Sequence, residues 1–417
     1  MNVLFLSPQY PIEMQDFTRG LAEVGARVYG IGDSPPAALS PKVRKALADY
    51  RQISLNDVKA VHQAVRSWGV HFDRIECLWE PFVLLAAELR EAMGIPGMSV
   101  DVVNGFRDKE IMKKRVEAAG LRVPHHFRAR SEQEIWAAAE KVGYPLIIKP
   151  IAGAGSADTY RVDDAKKLAE IVQRTRHVAE VSVEEFVDGE EFTFDTVSIQ
   201  GRPAFFNIAQ YLPRPLVART NEWISPIIVA MKDVFEPRYT QGIELGYGVL
   251  KALGMGTGFT HMEWYKKSNG EVVFGEIGCR VGGARLIDQM NFSCDIDLYR
   301  EWARAVCWHS FEPYGHGNSP RPLPNGLVPL ERKYNAAIIF KRALGQGKIR
   351  RIEGLDTFRE QYGRYIVAED LLKPGEHRRN WLQTLVSDGY LIVRHPDLPT
   401  ALRLAEKVAT DVRLYAG

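Results

Sequence analysis

The segment from Gly258 to Gly283, GFTHMEWYKKSNGEVVFGEIGCRVGG, constrains the fold more than any other stretch of this chain. Asn269-Gly270 is a strong hairpin signal, because Asn and Gly tolerate the positive φ angles of a type I′ turn. With those two residues as the turn, Ser268 faces Glu271, and counting back along both strands brings Glu263 opposite Glu276. A symmetric widening of the loop keeps that pairing; a bulge breaks it. Directly opposed residues place their Cβ atoms roughly 5 Å apart, and like charges there are destabilising. Phe259, Met262, Trp264, Val272, Val273, Phe274 and Ile277 flank the pair, so the hairpin reads as buried. Two half-buried carboxylates face to face need a cation between them, or one must hold a proton. Mg²⁺ in phosphoryl-transfer sites is commonly held this way, between carboxylates and phosphate oxygens. Two alternatives stay open: separate Lys or Arg partners for each glutamate, and a bulged register.

A chain of 417 residues suggests two to four structural units. Its net charge of +2 gives no electrostatic case for nucleic acid or an acidic membrane as partner. Cys77, Cys279, Cys294 and Cys307 form no C-x-x-C pair, which argues against a zinc site or disulfide framework and fits a reducing cytoplasm. The opening MNVLFLSPQYP lacks a basic n-region and reads as a first core strand rather than a signal peptide. No apolar run reaches the roughly 20 residues of a membrane span.

From residue 1 to 97, strands (Val3–Leu6, Arg27–Ile31, Ile75–Leu78) alternate with helices (Asp16–Val24, Asn56–Trp68, Pro81–Met93), a βαβ pattern that implies a parallel sheet. There is no G-x-G-x-x-G after the first strand. Residues 98–180 carry helices Asp108–Ala119 and Glu132–Val142 and the strand Leu146–Lys149. Residues 181–311 are strand-rich and hold the paired glutamates. Residues 312–330 are dense in Pro, Gly and Asn and read as a linker, and 331–417 as a last α/β unit ending in the helix Pro399–Val412.

Four further features cluster around this plan. In PLIIKPIAGAGSADTYRV, alternation puts Lys149 on the face opposite Ile148, and Gly153, Gly155 and Ser156 can bring N–H and O–H donors to an anion. A tight turn explains those glycines equally well. In VSVEEFVDGEEFTFDTV, a strand, an Asp188-Gly189 turn and a second strand carry Glu184, Glu185, Glu190 and Glu191. Either these are solvated, or they edge a nucleotide slot at Phe186-Val187. Lys109 sits in the first turn of a helix capped by Asp108, where the helix dipole disfavours a cation unless an anion lies near. Arg280 and Arg285 follow Glu276 and can bind carboxylate or phosphate in bidentate fashion.

Taken in order, WEPFVLLAAELREAMGIPG (Trp79–Gly97), RDKEIMKKRVEAAGLRVP (Arg107–Pro124), the lysine and glycine loop, the double glutamates and GEIGCRVGG resemble the ATP-grasp superfamily, in its biotin carboxylase and amino-acid ligase branch. The resemblance covers nearly the whole chain. It implies an ATP-grasp fold, α/β with an α+β centre: an N-terminal Rossmann-like parallel-sheet domain, two lobes around ATP, and a C-terminal α/β cap. It implies ATP with two Mg²⁺ (or Mn²⁺) ions, and a carboxylic acid activated as an acyl phosphate for attack by an amine. Carried over, Lys109 and Lys149 contact phosphates, residues 153–156 cover them, Glu184, Phe186 and Val187 address adenine, and Glu191 the ribose. Glu263 and Glu276 hold metal, and Arg280 steadies the acyl phosphate. The family usually has Asn where this chain has Gly278. Tyr211, Arg219 and Trp223 fall where amino-acid ligases line the substrate site, with His261 and Arg285 as further substrate candidates. The expected partners are a small acid and an amine, with room for a homodimer. A bicarbonate-activating subunit of the biotin carboxylase kind and a non-catalytic ATP-binding module are the competing readings.

Overall fold

Fully apolar runs become interior strands. Asn2–Leu6 is buried along nearly its whole length, as a central parallel strand requires. It lies between Arg27–Gly32 and Arg74–Glu76, both parallel to it. A fourth parallel strand, Leu47–Gln52, extends the sheet beyond Arg27–Gly32. Its half-exposed, polar residues carry no apolar signal, which is why the sequence pattern passes over it. The computed structural model describes residues 1–151, 158–312, 315–316, 331–384 and 386–417.

A second sheet is antiparallel, in the order His126–Ala129, Val181–Glu185, Leu146–Pro150, Tyr160–Val162. Leu146, Ile148, Val181 and Val183 pack against the helices Glu132–Val142 and Ala165–Arg174. The alternate residues Lys149, Ser182 and Glu184 therefore face the other way. Val181–Glu185 belongs to this small lobe, so the lobes part at Phe186-Val187 rather than at residue 180.

The large sheet has eight strands among the described residues. In order they are Val272–Gly278, Gly258–Lys266, Glu190–Ile199, Arg202–Leu212, Ile227–Ala230, Asn335–Phe340, Gly389–His395 and Ile366–Leu371. Here the expected organisation needs correction. Residues 331–417 are not a separate cap, since Asn335–Phe340 pairs antiparallel with Ile227–Ala230 and the sheet runs on without a break. The expected linker, 312–330, lies almost wholly outside the described residues. One face of the sheet is apolar: Phe192, Phe194, Met262, Trp264, Phe274 and Ile277 join the core beneath the helix Pro237–Leu253. Gly242 in that helix lets Trp264 lie flush, because a Cβ there would stand 2.3 Å from the indole. The opposite face carries the polar residues of the site. No described helix is long and apolar enough to cross a membrane.

The hairpin pairs Glu263 with Glu276, as expected, but by a different route. The turn is not a two-residue Asn-Gly loop: Lys267 N–H donates to the Glu271 carbonyl, leaving residues 268–270 as a three-residue loop with Gly270 at φ 88°. That asymmetric loop shifts the register by one, so Tyr265 faces Val273 and Trp264 faces Phe274. Gly275 is then an extra, bulged residue that shifts it back.

Candidate active site

Strand alternation builds one side of the site. Glu191, Thr193 and Asp195 on one strand lie beside His261, Glu263 and Tyr265 on the next, and the bulge brings Glu276 to the same face. Across the gap, Leu146–Pro150 contributes Ile147 and Lys149, and the helix Lys109–Ala118 turns Lys109, Glu110 and Lys113 inward. A single cleft is lined by Glu80, Lys109, Lys149, Phe186, Val187, Glu191, Arg214, Leu216, His261, Glu263, Glu276 and Arg280, among others.

At its centre, acidic and basic groups alternate. Lys113 Nζ donates to Glu184 (2.7 Å), whose other oxygen holds Lys149 (3.0 Å). Lys149 also approaches Glu276 (3.7 Å), which binds Lys109 (3.0 Å). Burial opposes the charged form of Glu184, but Lys113 and Lys149 outweigh it and pull its pKa down to about 2. Burial likewise opposes charge on Glu276, and Lys109 and Lys149 again prevail. Glu263 accepts from the Tyr211 hydroxyl (3.0 Å) and faces His261 Nε2 at 3.7 Å. Glu191 differs: burial and the charge of Glu263 push it up to about 7, with Arg214 Nε (3.1 Å) acting against them.

His261 Nδ1 donates to buried Asp195 (2.5 Å), which Thr193 also supports. Burial alone would depress the imidazole pKa, yet the Asp195 carboxylate raises it to about 9. A histidine whose folded pKa exceeds its ordinary 6.5 adds stability that is complete below that value and lost as pH climbs through 9. The difference is on the order of 3 kcal/mol. Between roughly pH 6 and 9.5 the natural ligand-free protein should therefore lose about that much more stability towards urea than His261→Gln does. An equal fall in both proteins would exclude His261 as the titrating group.

Several expected site residues lie elsewhere or act differently. Glu184 lines the cleft, and in the ligand-free protein its two oxygens pair with Lys113 and Lys149, so its side chain anchors lysines there. Arg219 points away from the cleft and donates to the Leu382 carbonyl, and Trp223 is 74% exposed. Arg285 pairs with Asp288 (2.6 Å) outside the cleft lining. Tyr211 stands behind Glu263 rather than in the cleft wall. Gly153, Gly155 and Ser156 lie outside the described residues. Phe186 sits between the Arg161 and Arg214 guanidiniums, 4.2 and 5.0 Å from its ring centroid.

Glu263 and Glu276 offer a hard cation two carboxylates on one face. Among the described residues no group of three or more His, Cys, Asp or Glu is set to hold a metal unaided. Mg²⁺ commonly takes one or two carboxylates and completes its shell with water and phosphate oxygens. The donor chemistry fits.

Residues 142–288, spanning Lys149, the lobe crossing and both glutamates, match the ATP-grasp domain family. The chain carries an ATP-grasp domain. Beyond that domain, the chain is 27% identical over 246 residues to an L-arginine-specific L-amino acid ligase of Bacillus subtilis, covering 55% of this chain and 59% of the relative. It is 26% identical over 280 residues to the alanine–anticapsin ligase of Bacillus subtilis strain 168, covering 62% and 57%. The chain thus spans less than two thirds of the length of these curated relatives. The crystal structure of an L-amino acid ligase from Bacillus licheniformis matches over 100% of this chain and 99% of its own, with TM-score 0.76 and 19% identity, a likeness of fold.

The ATP-grasp cleft also contains residues that sequence reasoning did not single out. Glu80, from the turn after Arg74–Glu76, binds both Arg107 and Arg280. Its carboxylate fills the space beside Gly278, where an added Cβ would stand 3.1 Å from Oε2. The signal was its place at the carboxyl end of a parallel strand, where ligand crevices form in open α/β sheets. Lys113 was legible only as one turn after Lys109. Arg214 shares the Pro-containing loop of Tyr211, Arg219 and Trp223 and, unlike those three, lines the cleft.

Proposed function

We propose that this protein is an ATP-dependent carboxylate–amine ligase acting on a small carboxylic acid or amino acid. The observation that carries the reading is the interleaving of Lys109 and Lys149 with Glu276, beside Glu263, at the parting of two lobes. Lysines bring positive charge to phosphates, and Glu263 and Glu276 would hold a Mg²⁺ ion. Bound there, Mg²⁺ would neutralise the β- and γ-phosphate charge. The apolar side of the cleft, with Phe186, Val187, Leu216 and Tyr265, suits the base, and Glu191 the ribose hydroxyls.

The chemistry then needs little else from side chains. A substrate carboxylate oxygen attacks the γ-phosphorus and ADP departs, leaving an acyl phosphate. The amine nitrogen attacks the carbonyl carbon, phosphate leaves with the C–O bond electrons, and the nitrogen loses a proton. Arg280, held by Glu80, is positioned to meet the substrate carboxylate and the acyl phosphate. The names of these two among the curated relatives, an L-arginine-specific L-amino acid ligase and an alanine–anticapsin ligase, support an amino acid as the acid or the amine.

The test is a phosphate-release screen over pairs of amino acids and small acids with Mg·ATP. Release that requires both members of a pair, with an amide product of matching mass, is the expected result. Release that depends on bicarbonate alone, or nucleotide binding without turnover on any pair, would overturn it.

A further inference from the structure

The helix Pro215–Thr220 forms part of the cleft wall, through Pro215 and Leu216. The preceding Arg214 packs 5.0 Å from the Phe186 and Tyr265 ring centroids, so this helix lies over the apolar end of the cleft, away from the lysines. Six residues are too few for a helix to be stable alone in water. Ala218 is its only buried residue, and Val217 is 43% exposed. Burial therefore does not hold it in place.

Contacts from the far part of the sheet do. Arg342 follows the strand Asn335–Phe340 and donates from Nη1 to the carbonyls of Ala218 (2.7 Å) and Asn221 (2.9 Å), at the end of the helix. Its guanidinium lies 4.4 Å from the Trp381 ring centroid. Arg219 donates to the Leu382 carbonyl (2.8 Å), and Arg378 pairs with Glu222. The clamp is costly: Arg342 Nε is buried without a partner, and burial with nearby Arg219 pulls the guanidinium down to about 10. Among the described residues the carbonyls that Arg342 meets belong to this backbone end, and the cleft-lining element attached to it is the helix.

We propose that Arg342 is a positioning residue for nucleotide binding, holding the helix Pro215–Thr220 as a roof over the base and ribose. The inference rests on the nucleotide reading above. It means that strands more than a hundred residues along the chain from the roof set the shape of the slot, while the phosphates are held independently by lysines. Loss of the clamp should loosen the nucleoside part of the ligand and spare the polyphosphate part.

Binding of Mg·ATP and of Mg·tripolyphosphate to the full chain by calorimetry separates these contributions. Arg342→Met should weaken Mg·ATP at least about tenfold, roughly 1.4 kcal/mol, and leave tripolyphosphate within twofold of the natural protein. Arg342→Lys, which keeps the charge and can reach one carbonyl, should fall between. Glu222→Ala, at a side chain 43% exposed, cuts a separate tether without emptying a buried site and should give a smaller loss in the same direction. Lys149→Ala should weaken both ligands alike. Unchanged ATP affinity in Arg342→Met and Glu222→Ala, with normal binding by the natural protein, would overturn this inference alone. Equal weakening of ATP and tripolyphosphate would reduce Arg342 to general scaffolding. Failure of the natural protein to bind Mg·ATP would overturn the functional reading and this inference together.

Discussion

Glu276→Gln is expected to lower turnover at least ~10³-fold, about 4 kcal/mol of transition-state stabilisation, in a chain that remains folded. The side chain is 31% exposed toward the cleft, so the isosteric amide opens no cavity. What it removes is one negative charge shared by Lys109 and Lys149. In the ligand-free protein the cluster of Lys109, Lys113 and Lys149 then has one carboxylate charge fewer, and stability should fall by on the order of 1–2 kcal/mol. On the proposed function, one of the two carboxylates that would hold Mg²⁺ is gone, so the Mg²⁺ concentration needed for ATP binding should rise steeply. Phosphate release, urea unfolding and a Mg²⁺ titration of ATP binding check the three parts. Turnover within tenfold of the natural protein would remove the carboxylate pair from the chemistry.

Gly275→Val should do more damage than that, because it attacks the register rather than one charge. A Cβ at Gly275 would lie 2.8 Å from the Glu263 carbonyl oxygen, which is backbone and cannot swing aside. The bulge must either distort or be expelled. If it is expelled, Glu263 comes to face residue 275, and Glu276 turns to the apolar face beneath the helix Pro237–Leu253. Turnover should disappear, Mg·ATP binding should weaken, and stability should drop by roughly 2–4 kcal/mol. Deleting Gly275 is the informative control. Without the extra residue, a regular ladder still brings Glu263 opposite Glu276, so the deletion should retain more ATP binding than the substitution. The reverse order would show that the bend at the bulge matters more than the pairing.

This hairpin also shows how far the sequence could be read. Glu263 opposite Glu276 was legible, yet it arises from two one-residue offsets that cancel, a three-residue loop and a bulge. Counting along the strands sees only their sum. The alternation that turns Lys149 away from Ile148 was legible because strand period is local. The inward role of Lys113 was not, since a charged helix face reads as solvated until the opposing Glu184 is known. The loop around Trp223 misled for a related reason. Aromatic and arginine residues suggested a binding wall, but the wall is Arg214, Pro215 and Leu216, and Arg219 ties the loop to the Leu382 carbonyl, in the part of the chain whose strands pair with Ile227–Ala230. That pairing, of Ile227–Ala230 with Asn335–Phe340, spans over a hundred residues and leaves no local trace.

The unbroken large sheet has a consequence for where the chain can be cut. A break near residue 330 looks safe from composition, since Pro, Gly and Asn crowd there. It would strip Ile227–Ala230 of its neighbour and leave an apolar strand with a row of unpaired N–H and C=O groups along a raw edge. Such an edge recruits strands from other chains. The shortened protein would meet its own copies before it met a substrate, and inclusion bodies rather than an inactive soluble lobe are the outcome the topology dictates.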